Sequence, residues 1–152
     1  MKSVIVRPAK VAEVFAAPNV DELLAEYARE SSIDGLPAAT ANRDIYAGLE
    51  ATGFLHVIGA FDDELLVGFL VLVVTVNPHY SQVLAVTESY FVTAEYRKAG
   101  AGLQLLAVAE ALAKQKGAVG MLVSAPVESR LARVLPGVGY RETTRAFFRG
   151  FA

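Results

Sequence analysis

The chain has 152 residues, of which 54% are hydrophobic and 20% are charged, and its formal net charge is −2. This length and composition predict one domain over residues 1–152 with one continuous core. The near balance of charge argues against a nucleic-acid partner. The lack of cysteine excludes disulfides and thiolate metal sites, and two histidines are too few for a histidine-rich metal site, so we expect no metal.

The N-terminal third is predicted to hold one strand and two helices. Residues 4–6 form a β-branched run that we expect to stop at Pro8. Asn19 is predicted to cap the first helix with its side chain, because a glutamate follows three residues later. The second helix is expected over about 38–51, with an apolar face that includes Ile45.

Three antiparallel strands are predicted next. The runs 54–61 and 65–76 are rich in apolar and β-branched residues and flank a short acidic link, which is typical of a hairpin, and 83–92 forms the third strand. The run 65–76 is far shorter than the roughly 20 residues that cross a bilayer, so we read it as a buried strand. Because the N-terminus also lacks a signal-peptide pattern, we expect a cytoplasmic protein with no membrane partner.

The C-terminal part is predicted to alternate helices and strands. Residues 100–116 form the clearest amphipathic helix. A right-handed crossover would place the following strand, 118–123, parallel to 83–92. A short helix is expected over 128–135 and a last strand over 140–148. The sequence thus predicts an α/β fold of the α+β kind, with a mixed, mostly antiparallel sheet flanked by helices.

A glycine-bearing turn joins the third strand of the hairpin region to the clearest helix. Gly100 and Gly102 allow main-chain N–H groups to point toward one position, and the helix adds its N-terminal donors. Arg97 and Lys98 add full positive charge. A dinucleotide fingerprint would need a glycine at Leu105, and no P-loop tripeptide occurs in the chain. We therefore predict a pyrophosphate pocket, and the competing interpretation is a tight helix entry without a ligand.

This segment resembles the GNAT superfamily of acyl-CoA transferases, whose signature Arg/Gln-x-x-Gly-x-Gly/Ala is matched by Arg97, Gly100 and Gly102. The predicted element order is similar to that family over nearly the whole chain, and the family fold contains a splayed parallel pair of strands. The tail, with Ser124-Ala-Pro and Phe147-Phe-Arg, resembles a subgroup often encoded by bacteriophages. The resemblance implies an N-acetyltransferase that moves the acetyl group from acetyl-CoA directly to a primary amine, with no covalent enzyme intermediate.

The resemblance also implies which residues hold the co-substrate. In the family, the strand before the glycine turn binds the pantetheine arm through its backbone and offers an N–H group to the developing oxyanion. The turn and the helix start bind the pyrophosphate. The implied cofactor-binding residues are Phe91, Val92, Arg97, Lys98, Ala99, Gly100, Ala101 and Gly102.

Glu88 is the predicted catalytic residue. Period-two alternation places it in one row with Leu84, Val86, Tyr90 and Val92, in which it is the only carboxylate. Burial of that row would disfavour the charged carboxylate and would suit a general base that removes a proton from the amine. The competing interpretation is a glutamate at a wet strand edge or in an ion pair with arginine.

Two further points concern the acceptor side. In the family, a tyrosine on the last short helix often protonates the leaving thiolate, and the corresponding position here is Leu135. Tyr27 and Tyr46 either line the acceptor pocket or pack in the core. The acceptor is a small-molecule amine or a protein or peptide amine, and a homodimer is left open. The alternative function is a non-catalytic CoA-binding or interaction module with the same fold.

Overall fold

A five-stranded sheet with helices on both faces forms the described part of the chain, residues 3–151, in a computed structural model. The strands are β1 (Ile5–Ala9), β2 (Leu55–Asp62), β3 (Leu65–Asn77), β4 (Gln82–Val92) and β5 (Met121–Leu122). The helices are α1 (Val11–Phe15), α2 (Val20–Glu30), α3 (Arg43–Ala51), α4 (Ala101–Gln115) and α5 (Arg130–Val134). Two 3₁₀ helices, Ala94–Ala99 and Leu135–Val138, precede α4 and follow α5.

The strand order in the sheet follows the chain, β1-β2-β3-β4-β5. The first four strands are antiparallel to their neighbours, and β5 is parallel to β4, which confirms the predicted mixed sheet. The parallel pairing is confined to Ala85 with Met121 and Val86 with Leu122. Beyond these pairs, β4 continues to Val92 with no neighbouring strand on that side within residues 3–151. The two strands therefore separate and leave an open edge on β4.

The two faces of the sheet are covered by different helices. On one face lies α4, where small alanines between leucines allow the helix to approach the strands closely; its buried residues are Ala101, Leu105, Leu106, Ala109 and Ala113. On the other face lie α1, α2 and α3, which pack on a second apolar cluster; its sheet residues include Val57, Phe69, Val71 and Phe91. The predicted helix and the predicted hairpin thus supply the framework of the core.

Several predicted boundaries are wrong, each for a local reason. Pro8 does not stop β1, because β1 is an edge strand in which a missing N–H group is tolerated. Helix α3 begins only after Asn42, whose Oδ1 accepts the N–H groups of Asp44 and Ile45 at 2.9 and 3.1 Å. Ile45 is 61% exposed, so the predicted apolar face of this helix is not buried. The five-residue helix α1 was not expected.

The C-terminal predictions are only partly correct. The expected strand 118–123 is reduced to β5, and the expected strand 140–148 does not form. A strand needs a pairing partner, and the structure pairs no residue of 140–151 with another strand; Phe148 and Gly150 lie beside Gly35 instead. The tail therefore runs without regular structure, and Phe147 and Phe151 are 92% and 94% exposed.

Asn19 acts differently from the predicted helix cap. Helix α2 does begin directly after it, but its side chain makes no capping hydrogen bond in the described chain. Instead, its Nδ2 donates to the Leu66 carbonyl at 2.7 Å, and its Oδ1 accepts the Leu66 N–H group at 3.0 Å. Both backbone groups of a fully buried strand residue are thus satisfied by one side chain. The result fixes the start of α2 against β3.

We expect Asn19→Ala to lower the free energy of unfolding by about 1–3 kcal/mol, because it leaves two buried polar groups of Leu66 without partners. Urea denaturation would measure the loss. Asn42→Ala is the matched control, since it removes an exposed helix cap, typically worth about 1 kcal/mol, and leaves no buried group unpaired. An equal loss in both variants would contradict this role of Asn19.

Candidate active site

A β-bulge in β4 places Glu88. The register of β3 and β4 runs from Val71 opposite Ser89 to Leu72 opposite Thr87, so Glu88 is an extra residue with no partner of its own. A bulge interrupts period-two alternation and turns the chain locally. The predicted row of even-numbered residues therefore does not form one face, and this prediction is wrong.

The side chains on either side of the bulge show the change of direction. The Tyr90 hydroxyl donates to the Gly102 carbonyl, so this residue faces α4. Glu88 faces α3, where its Oε1 accepts a hydrogen bond from the Tyr46 hydroxyl at 2.9 Å. The Glu88 side chain is exposed, as in the competing interpretation of a glutamate at a wet strand edge, so the condition of a buried row is not met. A carboxylate at a bulge, open to an incoming amine, remains a geometrically suitable base.

Tyr27 and Tyr46 lie beside Glu88 on the α2 and α3 side of the sheet. Burial raises the pKa of Tyr46, and the hydrogen bond to Glu88 raises it further. Burial also raises the pKa of Tyr27, with a contribution from the negative charge of Glu88. Both phenols therefore stay protonated at neutral pH. Tyr46 can donate a hydrogen bond to the carboxylate, and it does not compete with Glu88 for protons.

A small apolar pocket lies under this pair of side chains. It is enclosed by the inner faces of α1 and α2, the loop before α3, and strands β2 to β4, and its cavity volume is about 40 Å³. Both tyrosines line it, which places them at a pocket and not only in the core. The lining residues are Val11, Val14, Phe15, Leu24, Tyr27, Ala41, Tyr46, Val57, Phe69, Val71 and Ser89.

The open edge of β4 carries backbone groups of the predicted pantetheine-binding residues. Thr93 donates its N–H group to the Val67 carbonyl at 2.9 Å, on the β3 side. Because these groups alternate along a strand, those of Val92 point to the open edge and those of Phe91 point to β3. The Phe91 side chain packs on Tyr27, with ring centroids 5.5 Å apart. Of the two predicted residues, Val92 is thus the one with an available N–H group.

The start of α4 presents backbone donors next to this edge. Gly100 has φ +81°, in the left-handed region that glycine adopts without strain, and it directly precedes the helix. Its N-terminal N–H groups have no carbonyl partner within the helix, and no side chain in the described part of the chain caps them. Lys98, Ala99 and Gly100 are exposed. This arrangement fits an anion such as a pyrophosphate.

Arg97 is held away from the glycine turn. Its NH2 group lies 2.6 Å from Glu30 Oε1, and its Nε donates to the Val92 carbonyl at 2.8 Å. Glu26, one turn earlier on α2, accepts hydrogen bonds from Thr93 Oγ1 at 2.6 Å and from the Ala94 N–H group at 3.1 Å. Two glutamates of α2 thus bind the junction before α4. Their spacing of four residues on one helix face is the sequence signal that could have indicated it.

The Arg97 assignment can be tested through its partner. If Arg97 binds phosphate, Arg97→Ala should weaken CoA by about 10–100-fold, the value of one charge-assisted hydrogen-bonded contact. Glu30→Gln should strengthen CoA binding, because it removes the competing carboxylate. Calorimetry with CoA and with pantetheine separates the contacts, and only CoA should respond. Arg29→Ala, which removes an exposed cation next to Glu30 on α2, is the control. Unchanged CoA affinity in Arg97→Ala would mean that Arg97 has only a structural role.

No tyrosine replaces the missing general acid at the expected place. Leu135 is 8% exposed and belongs to the apolar core. Tyr140 donates its hydroxyl to Glu110 Oε1 at 2.9 Å. Burial raises the pKa of Tyr90 to about 12, and its hydroxyl is bound to Gly102. The hydroxyls of Tyr90 and Tyr140 are therefore both hydrogen-bonded to residues of α4.

Metal sites and membrane-spanning helices are both absent from residues 3–151. No group of three or more acidic or histidine side chains there is arranged to hold a metal ion. None of the helices in the same range has the length and apolar character needed to span a membrane.

Comparison with protein families identifies the class. The model described as the Acetyltransferase (GNAT) family matches residues 18–133. This range covers the described elements from α2 to most of α5, together with the bulge, the open edge and the glycine turn. The chain therefore belongs to the GNAT family of acetyltransferases, whose chemistry is acyl transfer.

Solved structures show the same fold at low sequence identity. A ribosomal-protein-alanine N-acetyltransferase from Brucella melitensis biovar Abortus 2308 is 18% identical, with a TM-score of 0.73 over 99% of this chain and 100% of that chain. An aminoglycoside acetyltransferase from an uncultured soil metagenomic sample, in complex with sisomicin, is 14% identical, with a TM-score of 0.74 over 98% and 97%. Glucosamine-6-phosphate N-acetyltransferase from Arabidopsis thaliana is 9% identical, with a TM-score of 0.75 over 99% and 100%. No match was found among curated proteins.

Proposed function

We propose that this acyltransferase moves the acetyl group from acetyl-CoA directly to a primary amine. The observation that carries the proposal is the open edge of β4, which leads from Glu88 at the bulge to the uncapped start of α4. One continuous segment thus offers a carboxylate, strand backbone donors and a helix N-terminus. These are the groups that an amine, a thioester arm and a pyrophosphate require.

Different residues would bind different parts of acetyl-CoA. The N–H groups of the turn from Lys98 to Gly102 would receive the pyrophosphate, with the α4 dipole favouring its charge. The open edge would bind the pantetheine arm, and the Val92 N–H group would lie along it. Arg97 would join the phosphate site by leaving Glu30. The sheet and α4 hold these donors in place before the ligand arrives, which is favourable for stabilising developing charge.

Glu88 would act on the acceptor. A lysine-like amine has a reference pKa near 10.4, so less than roughly 0.1% of it is neutral at pH 7. Glu88 would first take one proton from the ammonium group, and the neutral nitrogen would then attack the acyl carbon. The nitrogen would lose its second proton to solvent as the carbon–sulfur bond breaks. The leaving thiolate would take a proton from solvent, since Leu135 supplies none. The chain has no cysteine for an acyl-enzyme intermediate, which suits direct attack.

A screen of amines against acetyl-CoA tests this function. Free thiol should be released at a rate that depends on enzyme and amine, and mass spectrometry should find one added acetyl group on the amine. CoA binding by calorimetry without thiol release for any amine would instead support the non-catalytic CoA-binding module, which Leu135 in place of the tyrosine favours. No binding of CoA would contradict both.

A further inference from the structure

The apolar pocket defined above lies next to the proposed base. Ser89 lines the pocket and directly follows Glu88 in β4, and Tyr46 lines it while its hydroxyl binds the Glu88 carboxylate. An ammonium group that binds Glu88 would therefore lie next to two residues of the pocket lining. Whatever the nitrogen carries on that side must enter the pocket or remain in solvent.

The pocket wall has little to offer a polar substituent. Most of its residues are aliphatic or phenylalanine, and the polar side chains are the hydroxyls of Ser89 and the two tyrosines. The Tyr46 hydroxyl is already committed to Glu88. An ammonium or a sugar hydroxyl in this space would lose its water without a full set of replacement hydrogen bonds. An aliphatic group makes no hydrogen bonds with water, so its burial in the pocket carries no such loss.

The charge around the pocket fits a single positive group. Glu88 is the carboxylate next to the pocket, because it accepts a hydrogen bond from the lining residue Tyr46. Glu50, the acidic residue bound to the adjacent helix α1, already accepts the N–H group of Val11 at 2.9 Å. A polycation needs several carboxylates spaced to meet its amines, and the described lining supplies none of its own.

The size of the pocket limits the substituent. A water-sized group needs roughly 10–15 Å³ of such volume, and the cavity has about 40 Å³. The space thus accepts about three water-sized groups, so a short alkyl end such as isopropyl suits it better than a longer chain. The first carbon after the nitrogen would remain at the mouth, beside Glu88.

Resting on the proposed acetyl transfer, we propose that the acceptor is a monoamine with a short aliphatic substituent, about the size of isobutylamine. The apolar pocket selects this substituent, and Glu88 receives the ammonium. Polyamines and aminoglycosides are disfavoured, although aminoglycoside acetyltransferases are among the structural neighbours.

A panel of three monoamines of similar basicity and two polyamines tests the selectivity in the wild-type enzyme: methylamine, isobutylamine and hexylamine, with spermidine and sisomicin. Each added methylene that enters an apolar pocket is worth about tenfold or more in kcat/KM, so isobutylamine should exceed methylamine by at least tenfold. Hexylamine should be poorer than isobutylamine because it overfills the pocket. A preference for spermidine or sisomicin would overturn the proposal and leave the proposed acetyl transfer intact.

Variants of the lining test whether the pocket causes the selectivity. Ala41→Leu, at a half-buried loop position, should fill the cavity and reduce kcat/KM for isobutylamine at least tenfold while methylamine is retained. Leu24→Ala should enlarge the cavity and move the preference toward hexylamine. Ala25→Leu, exposed on the same helix, is the matched control and should leave the profile unchanged. An unchanged profile in both lining variants would overturn the proposal.

A binding measurement keeps the inference testable if no amine is acetylated. Saturable binding of isobutylamine, followed by NMR of the methyl groups of Val11 and Leu24 and lost in Ala41→Leu, would support the pocket while contradicting the proposed function. Absence of binding to the wild-type protein with CoA present would overturn the inference itself.

Discussion

Replacing Glu88 by glutamine should lower the turnover number with a confirmed acceptor by about 10²–10⁴, the usual effect of losing one general base. Glutamine keeps the size of the side chain and can still accept the Tyr46 hydrogen bond, but it cannot take a proton. CoA affinity should stay almost unchanged, because we propose that the co-substrate binds at the open edge and the start of α4, away from Glu88. Steady-state kinetics and calorimetry measure the two effects separately.

The pH profile and a second variant sharpen this prediction. If a carboxylate is the base, wild-type kcat/KM should have an acidic limb in its pH profile, and the glutamine variant should lack it. Tyr46→Phe keeps the base and removes only the hydroxyl bound to it, so it should cost less than Glu88→Gln. Near-normal turnover of Glu88→Gln would contradict the assignment and would mean that another group deprotonates the amine or that the amine binds already neutral.

Replacing Gly100 by valine should weaken CoA binding by at least tenfold. Gly100 has φ +81°, and an L-residue in the left-handed region costs roughly 1–2 kcal/mol. The turn would relax to a different conformation, and its N–H groups would no longer point toward one position. Calorimetry on the folded variant measures the loss.

The chain contains a matched control for this change at the other end of α4. Gly117 has φ +86°, and for both glycines an added Cβ would meet no atom within 4 Å. Gly117→Val should therefore cost similar stability through the same backbone strain and leave CoA affinity unchanged. Equal affinities in the two variants would show that the glycine turn does not hold the co-substrate.

The sequence predicts the framework well because the framework depends on periodic burial. The hairpin of β2 and β3, the helix α4 and the parallel placement of β5 all follow from apolar spacing and chain handedness. The bulge at Glu88 could not be predicted, since one extra residue in a ladder leaves no mark in composition or alternation. The same is true of Arg97 with Glu30, a pair brought together by tertiary structure.

The pocket on the acceptor side could not be predicted from the sequence either. Tyr27 and Tyr46 fit a buried stripe and a pocket wall equally well, and only the packing of α1 to α3 on the sheet separates the two interpretations. The residues of the tail predict a strand, but strand formation also depends on a pairing partner, which the residues of the tail do not reveal.

The two margins of the sheet differ in whether they can take up another extended chain. On the β1 margin, Pro8 lacks an amide hydrogen, and Arg7 is tied to Glu13 of α1. Both features discourage self-association through continuous intermolecular sheets. On the β4 margin, the pairing with β5 and the bulge at Glu88 interrupt the edge, and in the described chain it is open from Glu88 to Val92. The fold therefore directs strand-like ligands to one side only, and occupancy of that side would also shield the protein from aggregation.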